Sequence, residues 1–337
     1  MRGIIVGLGG WGSSWVEIVR DSGWEIAAWV DTNPAALDNA VANLGANPET
    51  CFGNLEHAIE RTQADAAFIF TPPMCGRAKD IIAAMDAGLH VLAEKPLAAS
   101  LDDLRAILKR HERSPLKVMV AQNYRYFPSS ALMREVGAGK LGRLGYMNVL
   151  YHMAESMPGH HMAELPDALA LGMCVHHLDT MRFVIGADPE TVWAETWNPP
   201  WSWSRGDACA RAAFTFPGGV RVTYFAGWAA HRSETDWFGH WTLESENGSL
   251  FTDGVDSTLV SGDKEEKIAG ARIDARHTRA DSLREFTSAI EENRTPECSV
   301  EDNAKSLLMA FAAIESSRSR KEIDFSEFVG AQLGQLG

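Results

Sequence analysis

Two stretches of this sequence carry residues whose types and spacing suit chemistry. In LGMCVHHLDTMRFVIG, residues 171–186, His176 and His177 are adjacent in a run of helical apolar spacing, with Asp179 and Arg182 close behind. An imidazole gains and loses its proton near neutrality and is also a common metal ligand. The segment reads as a catalytic helix, a metal site or a pair of packed core histidines. In GLGGWG, Gly7, Gly9 and Gly12 follow the pattern G-x-G-x-x-G between a strand-like and a helix-like run. Gly7 suits a tight turn, Gly9 a close approach of backbone to a pyrophosphate, and Gly12 tight helix–strand packing. Phosphates would meet the free N–H groups where the helix begins. Asp31 comes nineteen residues after Gly12, at the end of the second strand, where a carboxylate accepts hydrogen bonds from an adenosine ribose. It would repel a 2′-phosphate, and the following TNPAALDNA has no Arg or Lys to offset it. NAD is therefore expected over NADP.

The elements that must position these residues follow from apolar periodicity. GIIVGLGG predicts a buried strand, then a helix from about Trp11 to Asp21; WEIAAWVD predicts a second strand and PAALDNAVANL a helix opened by Pro34. The short TCFG, then DAAFIFTPP, RAKDIIAAMDAGLHVLAEKP, SLDDLRAILKRH and KVMVAQNYRY continue the alternation. Strands alternating with helices of this length imply βαβ units on a parallel sheet. After Pro128 the character changes: SSALMREVGAG predicts a short helix, LGYMNVLYHMA a strand, and then comes the His176 helix. TVWAETW, ACARAAFTFPGGVRVTYFAGW and GHWTLESENGSLFTD predict strands, with Pro-Gly-Gly and Asn-Gly as hairpin turns. Two long helices near the end, in DSLREFTSAIEEN and EDNAKSLLMAFAAIESSRSR, complete the pattern. The expectation is an α/β protein. A doubly wound dinucleotide domain over residues 1–123 precedes an α+β domain over 124–337 with a large, mostly antiparallel open sheet. The last helices are free to pack back on the first domain.

The bulk properties bound the partners. At 337 residues the chain exceeds the usual size of one core, and 45% apolar with 23% charged residues is an ordinary globular balance. A net charge of −14 with no basic cluster excludes a nucleic-acid or anionic-membrane surface. No apolar run reaches the ~18 residues of a membrane span, and MRGIIVGLGG leads straight into structure rather than resembling a signal peptide. Cys51, Cys75, Cys174, Cys209 and Cys298 are scattered with no C-x-x-C spacing, which suits reduced thiols in a cytoplasmic protein.

HVLAEKPLA, taken with GLGGWG, TPP, QNYRYFP, HHLDTMRFVIG and the closing helical segment, resembles the Gfo/Idh/MocA family of sugar and polyol oxidoreductases. The resemblance runs nearly the whole length and implies a Rossmann domain, a C-terminal open-sheet domain and a substrate pocket beside the nicotinamide. It implies that Glu94 holds the nicotinamide ribose, Lys95 reaches substrate and cofactor, and Pro96 shapes the strand end. Thr71 and Pro72 match the loop lining the cofactor, and Arg125 matches an arginine near the substrate. Gly10 and Trp11, inside the glycine motif, and Asn123 join the cofactor set; Tyr124, Arg125, His152 and His176 join Lys95 in the substrate set. A lysine at the carboxyl end of a parallel strand lies where such sheets bind ligands, and burial there would lower its pKa and suit it to moving a proton.

The family helix typically carries Asp-x-x-x-His with a further Asp three residues on. This chain has His176 and Asp179 but Gly172 where the first Asp stands. On an α-helix, 172, 176, 179 and 183 share one stripe, whereas His177 sides with Met173, Thr180 and Met181. His176 is therefore the catalytic choice and His177 a packing residue, with Asp179 placed to orient the ring. Gly76 is a second departure, where relatives often have histidine. His152, His160, His161, His231 and His240 show no metal-ligand spacing, so no metal is expected. Tyr124, Tyr126, Trp197, Trp201 and Trp203 could stack on sugars. Seven of eleven tryptophans lie between Trp193 and Trp241, and an apolar sheet face there needs a cover, so a homodimer or homotetramer is expected. The leading expectation is an NAD-dependent oxidoreductase acting on a carbohydrate or polyol hydroxyl, with Lys95 and His176 handling the proton. The alternatives are an enzyme with tightly bound NAD that oxidises transiently (epimerase, lyase or glycosidase) and an NAD-binding ligand sensor.

Overall fold

The computed structural model describes residues 1–154, 166–232, 234–270 and 275–334. They form two compact units: Met1–Asn123 with Ala275–Ala304, and Tyr124–Asp274 with Lys305–Gln335. No helix among the described residues is long and apolar enough to cross a membrane.

In the first unit, strands β1 (Arg2–Val6), β2 (Glu25–Val30), β3 (Cys51–Phe52), β4 (Ala66–Ile69), β5 (His90–Ala93) and β6 (Val118–Val120) form one sheet in the order β3-β2-β1-β4-β5-β6. Its strand pairings are all parallel among the described residues. Strands covered on both faces must be apolar throughout. Accordingly Ile4, Ile5, Ala66, Ala67, Phe68, Ile69, Val91, Leu92 and Ala93 are all fully buried. The crossovers are α1 (Gly10–Ser13), α2 (Val16–Asp21), α3 (Pro34–Asn43), α4 (Leu55–Arg61), α5 (Arg77–Asp86) and α6 (Leu101–His111). Asn33, Asn54 and Ser100 start α3, α4 and α6 by accepting from N–H groups of the first turn. The single helix expected from Trp11 to Asp21 is instead α1 and α2, because the Ser14 and Trp15 N–H groups turn to carbonyls three residues back.

The second unit holds α7 (Pro128–Gly137), β7 (Leu144–His152), α8 (Val175–Ile185) and β8 (Thr191–Trp197). β9 (Cys209–Thr215), β10 (Arg221–Gly227), β11 (His240–Ser245), β12 (Gly248–Thr252), β13 (Ser257–Ser261) and β14 (Lys264–Ile268) follow. After α9 (Ala275–Glu291) and α10 (Val300–Ser319), β15 (Ile323–Asp324) and α11 (Phe325–Leu333) end the chain. The nine-stranded sheet runs β14-β13-β12-β11-β7-β10-β9-β8-β15, and only β7–β10 among its pairings is parallel. Alternation sorts the faces: Met147, Val149, Tyr151, Val222, Tyr224, Trp241 and Leu243 are buried, while Tyr146 and Leu150 are exposed. The β13–β14 hairpin lay outside the strands expected from sequence, since KEEKI is an edge strand that keeps charges instead of apolar alternation.

Helix α9 belongs to the first unit. Phe286 is fully buried there, 6.3 Å from Trp24 and 6.4 Å from Phe68 between ring centres, and the Trp24 indole donates to Thr287 Oγ1 at 2.9 Å. A domain ending at Asn123 would lack this cover. Phe286→Ala is therefore expected to destabilise the protein by about 3–5 kcal/mol, the usual cost of an aromatic-to-alanine cavity, measured by urea unfolding.

Candidate functional site

The register of the parallel sheet brings its strand ends level. Val6 pairs with Val30 and Ile69, Ile69 with Ala93, and Ala93 with Val120. Gly7, Asp31, Thr71, Pro72, Glu94, Lys95 and Asn123 all follow these ends within three residues. The crossovers diverge between β1 and β4, the switch point where such sheets bind ligands.

The glycine turn has the form a dinucleotide needs. Gly7 has φ +91°, and a Cβ there would lie 2.8 Å from the Thr71 nitrogen; one on Gly12 would lie 1.9 Å from the Gly7 carbonyl oxygen. A Cβ on Gly9 or Gly10 would meet nothing within 4 Å, so backbone faces open space there. Asp31 is fixed beside the turn, with Oδ2 accepting the Leu8 N–H at 2.6 Å and Oδ1 the Asn33 N–H at 2.8 Å. These residues fit a dinucleotide cofactor.

At the end of β5, Glu94 is buried. Its Oε1 accepts the indole N–H groups of Trp11 at 2.5 Å and Trp15 at 3.0 Å, and Oε2 accepts the Lys95 backbone N–H at 3.1 Å. Burying a carboxylate costs several kcal/mol unless donors such as these meet it. Arg77, also buried, donates from Nε to the Thr71 carbonyl at 2.7 Å and from Nη1 to the carbonyls of Glu94, at 2.7 Å, and Pro96. It thus ties the Thr-Pro loop to the Glu-Lys-Pro loop, where the Lys95–Pro96 peptide is cis. Burial draws Arg77 down to about 10 against the pull of Glu94 and Asp80, and it remains a cation at neutral pH. Burial pushes Asp80, which accepts from Thr71 Oγ1 at 3.3 Å, up to about 6. Lys95 is half-buried, and desolvation holds its ammonium below the ordinary lysine range, Glu94 opposing and Arg77 adding to the effect. Asn123 is buried with its Nδ2 donating to Thr278 Oγ1 at 2.9 Å.

In the second unit, α8 lies on the buried face of the nine-stranded sheet. His177 is fully buried, with Nδ1 2.8 Å from the Tyr224 hydroxyl and Nε2 3.2 Å from the Trp237 carbonyl. A carbonyl only accepts, so Nε2 carries the proton and Nδ1 accepts from Tyr224. Burial pulls His177 down to about 4, with the Trp237 carbonyl opposing, so it is neutral at pH 7. His176 is 5% exposed and stacks on Tyr124, ring centres 4.1 Å apart and planes 17° from parallel. Tyr124 donates its hydroxyl to the same Trp237 carbonyl at 3.1 Å. Tyr124 is buried against His176, its ring covering the imidazole.

Asp179, on the same helix, is fully buried. Its Oδ2 accepts from Arg125 Nε at 2.7 Å, and its Oδ1 accepts from Arg125 Nη2 at 2.7 Å and Ser306 Oγ at 2.6 Å. The carboxylate forms a bidentate buried pair with Arg125. Breaking such a pair from one side costs about 3–5 kcal/mol, whereas an exposed pair such as Arg211–Glu195 is worth about 0–1 kcal/mol. Ser306 also accepts from Arg182 Nη1 at 2.8 Å, and Arg182 pairs with Asp188. The stripe through 172 and 176 is altered too, because Ala170–Cys174 form a π turn and do not follow the 3.6-residue step.

His152 ends β7, half-buried and stacked on Phe225 at 5.0 Å, and burial and His240 lower its pKa. Trp197 lies 5.9 Å from Phe225, Trp203 5.5 Å from Trp228, and the exposed Trp201 5.6 Å from His231. His160 and His161 lie outside the described residues. Gly76 has φ +92° at the start of α5. The sequence reading missed Arg77, Trp15, Thr278 and Arg279. Arginines in amphipathic helices ordinarily face solvent, so only a lone arginine four residues after Thr-Pro-Pro hinted at Arg77.

The first 122 residues match the model of an oxidoreductase family with an NAD-binding Rossmann fold, GFO_IDH_MocA, and residues 130–251 match a GFO/IDH/MocA C-terminal domain. This chain belongs to that oxidoreductase family. It is similar to a 1,5-anhydro-D-fructose reductase of Ensifer adhaerens, 24% identical over 90% of this chain and 91% of the relative. Its fold is similar to an oxidoreductase from Agrobacterium radiobacter in complex with NAD+, L-tartaric acid and magnesium (TM-score 0.89, 19% identity, 97% of this chain and 99% of that one). It is also similar to a levoglucosan dehydrogenase in complex with NADH and levoglucosan (TM-score 0.85, 18% identity, 96% and 99%).

His177 sets a pH dependence. With its folded pKa below the ordinary histidine value, the unfolded chain binds the extra proton, so stability falls as pH drops from about 6.5 to about 4. The loss is on the order of 3 kcal/mol across that window. His177→Asn should be less stable at pH 7, yet its urea midpoint should vary less with pH between those limits.

Proposed function

We propose that this chain transfers a hydride between a carbohydrate or polyol hydroxyl and NAD, with Lys95 and His176 handling the proton. The observation that carries the reading is the level row of strand ends. It sets an open glycine turn, a buried Glu94 and a lysine with a lowered pKa at one edge of one sheet. When bound, NAD supplies the hydride acceptor. Lys95, whose pKa is lowered by desolvation, takes the hydroxyl proton, and His176 shares it. The Tyr124 ring restrains the plane of His176, and Asp179 holds Arg125, the neighbour of Tyr124. With Gly172 in place of the family aspartate, the stack replaces a carboxylate as the restraint on the imidazole. The sugar-type substrates named for the reductase and dehydrogenase relatives support the substrate class.

Asp31 supports NAD over NADP, since its carboxylate is held in place by two backbone N–H groups and would face a 2′-phosphate. Absorbance at 340 nm during a screen of sugars, inositols and sugar acids tests the whole reading. NADH should accumulate with at least one substrate, faster with NAD than with NADP, and Lys95→Ala should lower kcat by about 10²–10⁴-fold. Turnover of a sugar without net NADH would instead support transient oxidation. NAD binding with no turnover, and ligand binding intact in Lys95→Ala, would leave a sensor.

A homodimer or homotetramer through the nine-stranded sheet belongs to the same reading. Phe251 pairs with Thr242 and Thr242 with Asn148, which puts Phe251 on the face of Tyr146 and Leu150, all three exposed. Light scattering on the purified chain should give a multiple of 36.9 kDa, and Leu150→Arg should shift it toward the monomer.

A further inference from the structure

Trp11 occupies a position of which the glycine motif asks nothing, yet its indole reaches out of the turn to Glu94 Oε1 at 2.5 Å. Trp15 donates to the same oxygen at 3.0 Å. One guanidinium covers both rings: Arg279 Cζ lies 4.6 Å from the ring centre of Trp11 and 5.3 Å from that of Trp15. Arg279 comes from α9, is itself buried, and donates from Nη1 to Ser14 Oγ at 2.7 Å. Trp11 is 50% exposed, so removing it opens no core cavity. What the ring does is directional: it puts a donor on a buried charge and is held there by a cation on its face.

We propose that Trp11, clamped by Arg279, is a positioning residue for the nicotinamide half of the cofactor, acting through Glu94. Two indole donors load Oε1, which leaves Oε2, with its single backbone N–H, as the oxygen with acceptor capacity to spare. A carboxylate fixed in this way meets a ribose hydroxyl without first losing rotational freedom, and pre-organisation of that kind raises affinity. The inference rests on Glu94 being the partner of the nicotinamide ribose, and it adds that the tryptophan of the phosphate turn and an arginine of α9 set its orientation.

Calorimetric titration of this chain with NAD and, separately, with ADP tests this without any substrate. Trp11→Phe keeps the ring and loses the N–H. It should weaken NAD about tenfold while leaving ADP affinity nearly unchanged. Arg279→Met should weaken NAD in the same direction, and the double variant should lose less than the sum of the two. Equal weakening of NAD and ADP would mean that the turn itself had collapsed, and unchanged NAD affinity would mean that the indole positions nothing; either overturns the proposal. Glu94→Gln separates the two readings. Unchanged NAD affinity there removes the ribose role of Glu94 and the positioning role with it. Weakened binding in Glu94→Gln beside an intact Trp11→Phe overturns the positioning role alone.

Discussion

The constraint on which the first unit depends is the buried negative charge of Glu94. A carboxylate out of water must be met by donors, and its position at the end of β5 decides which ones are in reach. They come from Trp11 in the glycine turn, from Trp15 just before α2 and from the backbone after Glu94 itself. Arg77 then binds the carbonyls around it and carries the Thr-Pro loop along. One charge therefore holds together the turn after β1, the loop after β4 and the loop after β5. The same crowding desolvates Lys95 and lowers its pKa, with Glu94 opposing.

The second unit solves a parallel problem on its own helix. Residues Val175–Arg182 of α8 are all buried, so each polar group there must find a partner inside the protein. Asp179 finds Arg125 and Ser306, His177 finds Tyr224 and the Trp237 carbonyl, and His176 has the face of Tyr124. The adjacent histidines are thereby distinguished by environment. His177 is kept neutral by burial and held in place by two hydrogen bonds, while His176 rests on a ring that fixes its plane. The π turn just before them sets the phase at which they enter the sheet face.

Much of the fold was legible because it follows from periodicity. The six parallel strands read as apolar runs separated by helices, and the hairpins after β9 and β11 read from Pro-Gly-Gly and Asn-Gly. The positive φ of Gly7 and the tight approach at Gly12 were likewise implied by the spacing of the motif. Illegible parts were those with no local signature. KEEKI hides an edge strand behind charges. ALGMC forms a π turn where apolar spacing alone reads as α-helix.

The sequence by itself determined the parallel βαβ order, the glycine turn, and the carboxylate and lysine placed at strand ends, because each depends on neighbours within a few residues or on a repeating period. Only the tertiary structure decided who partners whom. Asp179 belongs to Arg125, fifty-four positions away, and Tyr124 to His176. Arg279 belongs to the tryptophans of a turn more than two hundred and sixty residues earlier. Such partnerships arise from the cost of leaving a charge or ring polar edge unmet in a closed core. That cost is assessed only once the chain has folded and brought distant residues into reach.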